Sequence, residues 1–188
     1  MAESPETPPG GASADQTSGA QTQGDQTNAP RLVIQSQYVK DLSFENPRAP
    51  ANLLPGQARP EIQIRVDVRA QRLEAERYEV LLQLHVEAKT GDDTAFMVEL
   101  TYGGVFGLLS IPQESVQPLL LIECPRLLFP FARRVVADAT RDGGFPPLLI
   151  DPIDFVTLYR RREQQARAAP QTEREPAPKP IVGDGSSS

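Results

Sequence analysis

Ile62, Ile64, Val66 and Val68 alternate with Gln63, Arg65, Asp67 and Arg69. A pleated strand with one buried face imposes this period of two, so the stretch predicts a half-buried strand. The next run sets Val80, Leu82, Leu84, Val86 and Ala88 against Leu81, Gln83, His85 and Glu87, and it reaches a turn at Gly91-Asp92. A third run follows, with Phe96, Val98, Leu100 and Tyr102 predicted inward. Upstream, Leu32, Ile34, Tyr38, Leu42 and Phe44 share one parity and predict a first strand with all five on one face. Pro47, Pro50, Pro55 and Pro60 then deny backbone donors to a ladder, so a long extended crossing loop is expected between the first and second strands.

After Gly107 the alternation gives way to apolar blocks, and Gln113 to Arg141 reads as helical. Pro118, Pro125 and Pro130 lie within it, which predicts a short helix, a break near Cys124-Pro125 and a second helix to about Arg141. Gly143-Gly144 ends that helix, prolines 146, 147 and 152 keep the connection extended, and Asp154 is the expected N-cap of a final helix to about Arg167. Four strands followed by helices argue for an α+β domain whose antiparallel sheet is covered on one face. The first thirty residues contain no Leu, Ile, Val, Phe or Tyr, and Glu3, Glu6, Asp15 and Asp25 face no base. Such a segment cannot offset its ordering entropy by burial. Residues 1–30 are therefore expected to be a disordered acidic tail, residues 31–167 the domain, and the Pro-, Ala- and Ser-rich residues 168–188 a second disordered tail.

The net charge of −6 on 188 residues opposes binding to a phosphate backbone, so nucleic acid is not an expected partner. One cysteine and one histidine, Cys124 and His85, give no cluster for a metal and no internal disulfide, which fits a reducing compartment. His85 shares the parity of Gln83 and Glu87 and is expected to face solvent, while Cys124 reads as a small buried residue. Gly103-Gly104 and Gly107 precede no Gly-Lys-Ser/Thr and are read as a strand bend or bulge, and Asp92-Asp93 as part of a hairpin turn. Neither catalysis nor a cofactor is expected. The N-terminus lacks the basic start and apolar core of a signal peptide, and apolar runs such as Pro118 to Ile122 are too short to span a bilayer, so a cytoplasmic protein is expected.

Two surfaces stand out. Large apolar residues exceed what two helices and a small sheet can bury, which calls for a subunit interface or an accessible groove. On the sheet face turned away from the core, Asp41, Glu45 and Glu99 make an acidic patch with Met97 as its apolar spot.

The run Tyr38-Val39-Lys40-Asp41-Leu42-Ser43-Phe44-Glu45-Asn46-Pro47, followed by Ala49-Pro50, closely resembles the opening of SecB export chaperones. Tyr78-Glu79-Val80, Thr94-Ala95-Phe96, Gly103-Gly104-Val105-Phe106, Cys124-Pro125, Leu128-Phe129-Pro130-Phe131-Ala132-Arg133, Gly144-Phe145-Pro146-Pro147-Leu148 and Asp151-Pro152-Ile153-Asp154-Phe155 follow in family order. The similarity runs from about Leu32 to Arg162. It implies a four-stranded antiparallel sheet with a long crossover, helices on one side, and a homotetramer built as a dimer of dimers. It further implies an ATP-independent holdase that binds unfolded secretory precursors in hydrophobic grooves and delivers them to the translocase ATPase SecA. The docking positions then fall on Asp41, Glu45, Met97 and Glu99, and the client groove on Leu53, Leu54, Phe145, Leu148, Phe155 and Tyr159. Family members often carry an aromatic residue in the crossover, where Pro50 to Pro60 here offers Leu53 and Leu54 as its large apolar groups.

Overall fold

Four antiparallel strands form a single sheet in the computed structural model, which describes residues 29–168. The tails expected on either side fall outside the described residues, apart from the few positions adjoining the core. The strands are β1 (Arg31–Glu45), β2 (Glu61–Glu74), β3 (Arg77–Thr90) and β4 (Asp93–Leu109), in the order β1-β4-β3-β2. Consecutive strands β1 and β2 thus lie at opposite edges, and the segment between them must cross the sheet. Three strand spacings amount to about 14 Å, well within reach of such a segment. The long crossover expected from the prolines is present. β2 turns into β3 through Ala75-Glu76, with Glu76 at φ 59°, and β3 into β4 through Gly91-Asp92, with Gly91 at φ 63°.

Cross-strand rows build the inner face: Val68, Leu82 and Tyr102 stand opposite one another, as do Val66, Leu84 and Leu100. Helix α1 (Gln113–Pro118), a π-helical turn (Leu119–Glu123), α2 (Cys124–Asp142) and α3 (Phe155–Ala168) follow the sheet. Leu128, Phe129, Ala132 and Val136 of α2 are buried with the inner faces of β3 and β4. Each large side chain so buried contributes about 1.5 to 3 kcal/mol.

Three features differ from the sequence expectation. The single parity of the first strand is broken by two bulges in β1, where Gln35 and Lys40 have no partner in the pairing with β4. Each extra residue inverts the alternation, so two restore it. Leu32, Ile34, Leu42 and Phe44 therefore share the inner side as expected, whereas Tyr38 pairs with Gly103 and lies on the outer face. The second difference is that β4 has no bulge at its glycines, which pair with β3 in unbroken register. A Cβ on Gly103 would stand 2.7 Å from the Tyr38 ring, and one on Gly104 would stand 2.8 Å from a Leu128 methyl. The glycine pair makes room for one side chain on each face. Third, the helix does not break at Cys124-Pro125. Helical geometry continues through Cys124, at φ −59° and ψ −50°, because the preceding wide turn absorbs the donor that Pro125 lacks. Asp154 caps α3 as expected, accepting from the Thr157 backbone N–H at 3.0 Å and the Thr157 hydroxyl at 2.7 Å.

Thr140 is fully buried near the end of α2. Its hydroxyl donates within the helix to the Val136 and Ala137 carbonyls, both at 3.0 Å, and accepts from the Leu148 N–H at 3.0 Å. Thr140→Val keeps the shape and leaves the Leu148 N–H unpaired, so a loss of about 1 to 3 kcal/mol is expected. A lower urea midpoint with an unchanged slope is the outcome to look for.

Candidate functional site

The outer sheet face carries the acidic patch. Glu45, Met97 and Glu87 form one cross-strand row, and Ser43, Glu99, His85 and Arg65 form the next. Asp41 continues the patch opposite Thr101. All four proposed docking positions are thus neighbours on β1 and β4, with half-buried Met97 between Glu45 and Glu87. His85 is partly exposed, as its parity predicts, and its Nδ1 lies 2.9 Å from Glu99 Oε1. Glu87 accepts from Lys89 at 2.9 Å, which holds its carboxyl below the usual range. A shallow depression of about 390 Å³ separates Asp41 and Glu99 from Arg65 and Arg69 of β2. Asp67 lies between these arginines and pairs with Arg69 at 3.1 Å, so the acidic patch ends at a border of mixed charge, which the sequence reading did not assign.

A second cluster on the same face was also missed. Glu79 of β3 is buried, and its carboxylate accepts from Tyr38 Oη, from Lys40 Nζ at 2.9 and 3.1 Å, and from Gln71 Nε2. The Tyr38 hydrogen bond is the main cause that lowers the Glu79 pKa, with Lys40 adding to it. Burial, and then the same carboxylate, push the Tyr38 phenol up to about 12. The signal in the sequence was the spacing Tyr38-Val39-Lys40, which an unbulged strand would have turned inward.

The apolar positions do not form one lining. Leu53 and other crossover residues, together with Phe145, surround a groove of about 510 Å³ between the loop, the start of β4 and Gly144-Phe145-Pro146. Phe145 packs on Phe96 at 4.7 Å, and Phe96 stacks on Phe44 at 5.9 Å. Leu54 is 60 % exposed on the loop, and Leu148 is half-buried. Tyr159 belongs to a different depression of about 440 Å³, beside Val116, Leu120 and Leu121. Phe155 requires a correction: it is 1 % exposed, with its ring 6.3 Å from Phe129, and so lies in the core beneath these surfaces. Cys124 is wholly buried, and burial pushes its thiol up to about 12, which leaves it protonated at neutral pH.

A third apolar surface emerges where α2 fails to cover β1. Ile34, Val39 and Leu42 are on the inner side of β1 yet 40 to 45 % exposed, and Leu127 and Phe131 of α2 are comparably open. Val39 and Phe131 both adjoin Tyr102, the latter at 6.5 Å between ring centres. Gln37, also on the inner side, has a buried side-chain oxygen with no hydrogen-bond partner among the described residues.

Residues 25–166 match the family model described as SecB, preprotein translocase subunit. A protein-export protein SecB of Parvibaculum lavamentivorans is 55 % identical over 138 residues, covering 73 % of this chain and 82 % of the relative. Its counterpart from Rhodopseudomonas palustris (strain HaA2) is 50 % identical over 151 residues, covering 80 % and 96 %. Among solved structures, a SecB-like chaperone of Mycobacterium tuberculosis in complex with an antitoxin peptide superposes with a TM-score of 0.56 at 17 % identity, covering 65 % of this chain and 91 % of that one. That likeness concerns the fold.

The Glu79 cluster makes stability depend on pH at both ends. Because the Glu79 pKa is lowered by folding, its contribution is present above the ordinary carboxylate range and is lost as pH falls through the folded value. Because the Tyr38 pKa is raised, its contribution is complete below pH 10 and is lost as pH rises from 10 towards about 12. Tyr38→Phe is expected to weaken the acid dependence and to remove this part of the alkaline one. Urea midpoints measured across pH for both proteins test the expectation.

Proposed function

We propose, since the chain belongs to the SecB family of protein-export chaperones, that it holds unfolded precursors in apolar grooves on the helix side of its sheet and docks the translocase ATPase SecA on the outer face. The observation that carries this reading is the separation of the two surfaces. The crossover groove, with Leu53 and Phe145, and the acidic patch, with Asp41, Glu45, Met97 and Glu99, are distinct, so a client and a folded partner can be engaged together.

Holding and release are equilibrium events in this reading, since the sequence has no Gly-Lys-Ser/Thr to cradle a nucleotide. The binding energy comes from apolar burial, about 1.5 to 3 kcal/mol per large side chain, against association costs that consume several such terms. One groove is weak. Linked copies raise the effective concentration for a long client, with avidity gains of about 10² or more. The bare inner side of β1, with Ile34, Val39 and Leu42 beside Leu127 and Phe131, supports a homotetramer in which a second copy covers that surface and supplies a partner for Gln37. Among the described residues no helix is long and apolar enough to cross a membrane, and the proposed place of work is the cytoplasm.

Static light scattering at micromolar concentration is expected to give four times the monomer mass. A stable monomer would remove the avidity argument.

Reversing Asp41, Glu45 and Glu99 to Lys is expected to change stability by no more than about 0.5 kcal/mol, as for exposed sites generally. Suppression of client aggregation without ATP should persist, while affinity for SecA falls at least tenfold and loses much of its salt dependence. Met97→Ala should weaken the same contact and leave its salt dependence intact. Loss of client holding with retention of SecA in the Lys variant would reverse the assignment of the faces.

A further inference from the structure

The proposal here rests on the outer-face docking reading and concerns how the docking carboxylates come to their places. We infer that Glu79 and Lys40 are positioning residues, which hold β1 in the doubly bulged register that sets Glu45 beside Met97 and keeps Asp41 away from Glu99.

Pairing of β1 with β4 runs from Arg31 opposite Leu109 to Glu45 opposite Met97, and it is regular as far as Ile34 opposite Phe106. Had β1 continued from Ile34 without bulges, Asp41 would stand opposite Glu99, and Glu45 opposite Ala95. In the observed register Asp41 meets Thr101 and Ser43 meets Glu99. The two bulges therefore displace the carboxylates by two positions, about 7 Å along β4. They also relieve the repulsion between directly opposed carboxylates. The unbulged strand is a real competitor, because the alternation of Leu32, Ile34, Tyr38, Leu42 and Phe44 is the pattern of a regular strand.

The Glu79 cluster opposes that competitor. In the unbulged strand Tyr38 and Lys40 would both turn inward, Lys40 opposite Leu100. In the structure both remain outside. The Tyr38 ring lies over Gly103, where a side chain on β4 would block it, and its hydroxyl reaches Glu79 on β3. Lys40, itself the second bulge residue, reaches across β4 to the same carboxylate at 2.9 Å. Gln71 joins from β2, so one buried carboxylate ties the edge strand to the two strands beyond β4. Lys40 is 43 % exposed at its side chain, whereas Glu79 is 7 % exposed. The clamp thus has a fixed acceptor and a removable donor.

Full-length Glu79→Gln and Lys40→Met would be compared with the unaltered chain and Lys40→Arg in three measurements. Cross-strand backbone contacts by NMR are expected to show Asp41 with Thr101, and Glu45 with Met97, in the unaltered chain and in Lys40→Arg. In Glu79→Gln and Lys40→Met these contacts should weaken while contacts between Asp41 and Glu99 appear. Affinity for purified SecA should fall at least tenfold in the same two variants, with suppression of client aggregation changed less than twofold. Lys40→Met removes an exposed side chain, so it reports even if Glu79→Gln fails to fold. Retention of the observed pairings in Lys40→Met overturns the proposal. So does a changed register with SecA affinity intact, provided that a Glu99→Lys control does weaken SecA binding. If Glu99→Lys leaves SecA binding unchanged, the docking reading fails instead, and the NMR contacts still decide whether the clamp sets the register.

Discussion

A helix about 10 Å across can shield roughly two strands spaced near 4.8 Å, and that limit shapes every surface of this domain. α2 spends its buried residues on β3 and β4, where Leu128 drops into the space left by Gly104. The π turn and α3 attend to the β2 side, with Leu121 near Val66 and Val68 in a depression they share with α3. On β1 only Leu32 and Phe44 pack against the core, so the inner side of that edge strand stays apolar and open at Ile34, Val39 and Leu42. The fold is stable because its central strands are well covered. Its edge is not, and in the proposed function a second copy covers it.

The same arithmetic separates the two working surfaces in the proposed function. Among the described residues no helix covers the outer face, which is therefore free to carry charge, with acid on β1, β3 and β4 and both signs on β2. The helix side carries the apolar grooves, divided between the crossover near Phe145 and the depression near Tyr159. Shallow, divided grooves suit a client that is itself long and unfolded, since several weak contacts along one chain release more readily than one deep pocket.

The two glycines of β4 join these themes. Gly103 opens the outer face to Tyr38, and Gly104 opens the inner face to Leu128. The sequence reading took the pair for a bend or bulge in β4. The bulges lie in the neighbouring β1, and the glycines make room on a stretch of β4 that has none.

Much of the domain was legible in its sequence because the relevant information is local. Alternation along Ile62 to Val68 and Val80 to Ala88 fixed which side chains point to the core, the prolines marked the crossover, and Asp154 marked the start of α3. The identity of the acidic patch followed from the same period of two. Local pattern could not place the bulges at Gln35 and Lys40, because they depend on a partner chosen elsewhere: Tyr38 and Glu79 are 41 residues apart. Nor could it separate Phe155 from Tyr159 as core and groove, four residues apart on one helix, since burial depends on what packs over each. Side-chain direction within an element is set by backbone geometry and can be read along the chain. Register between strands, and the reach of a helix across them, exist only once distant segments have met.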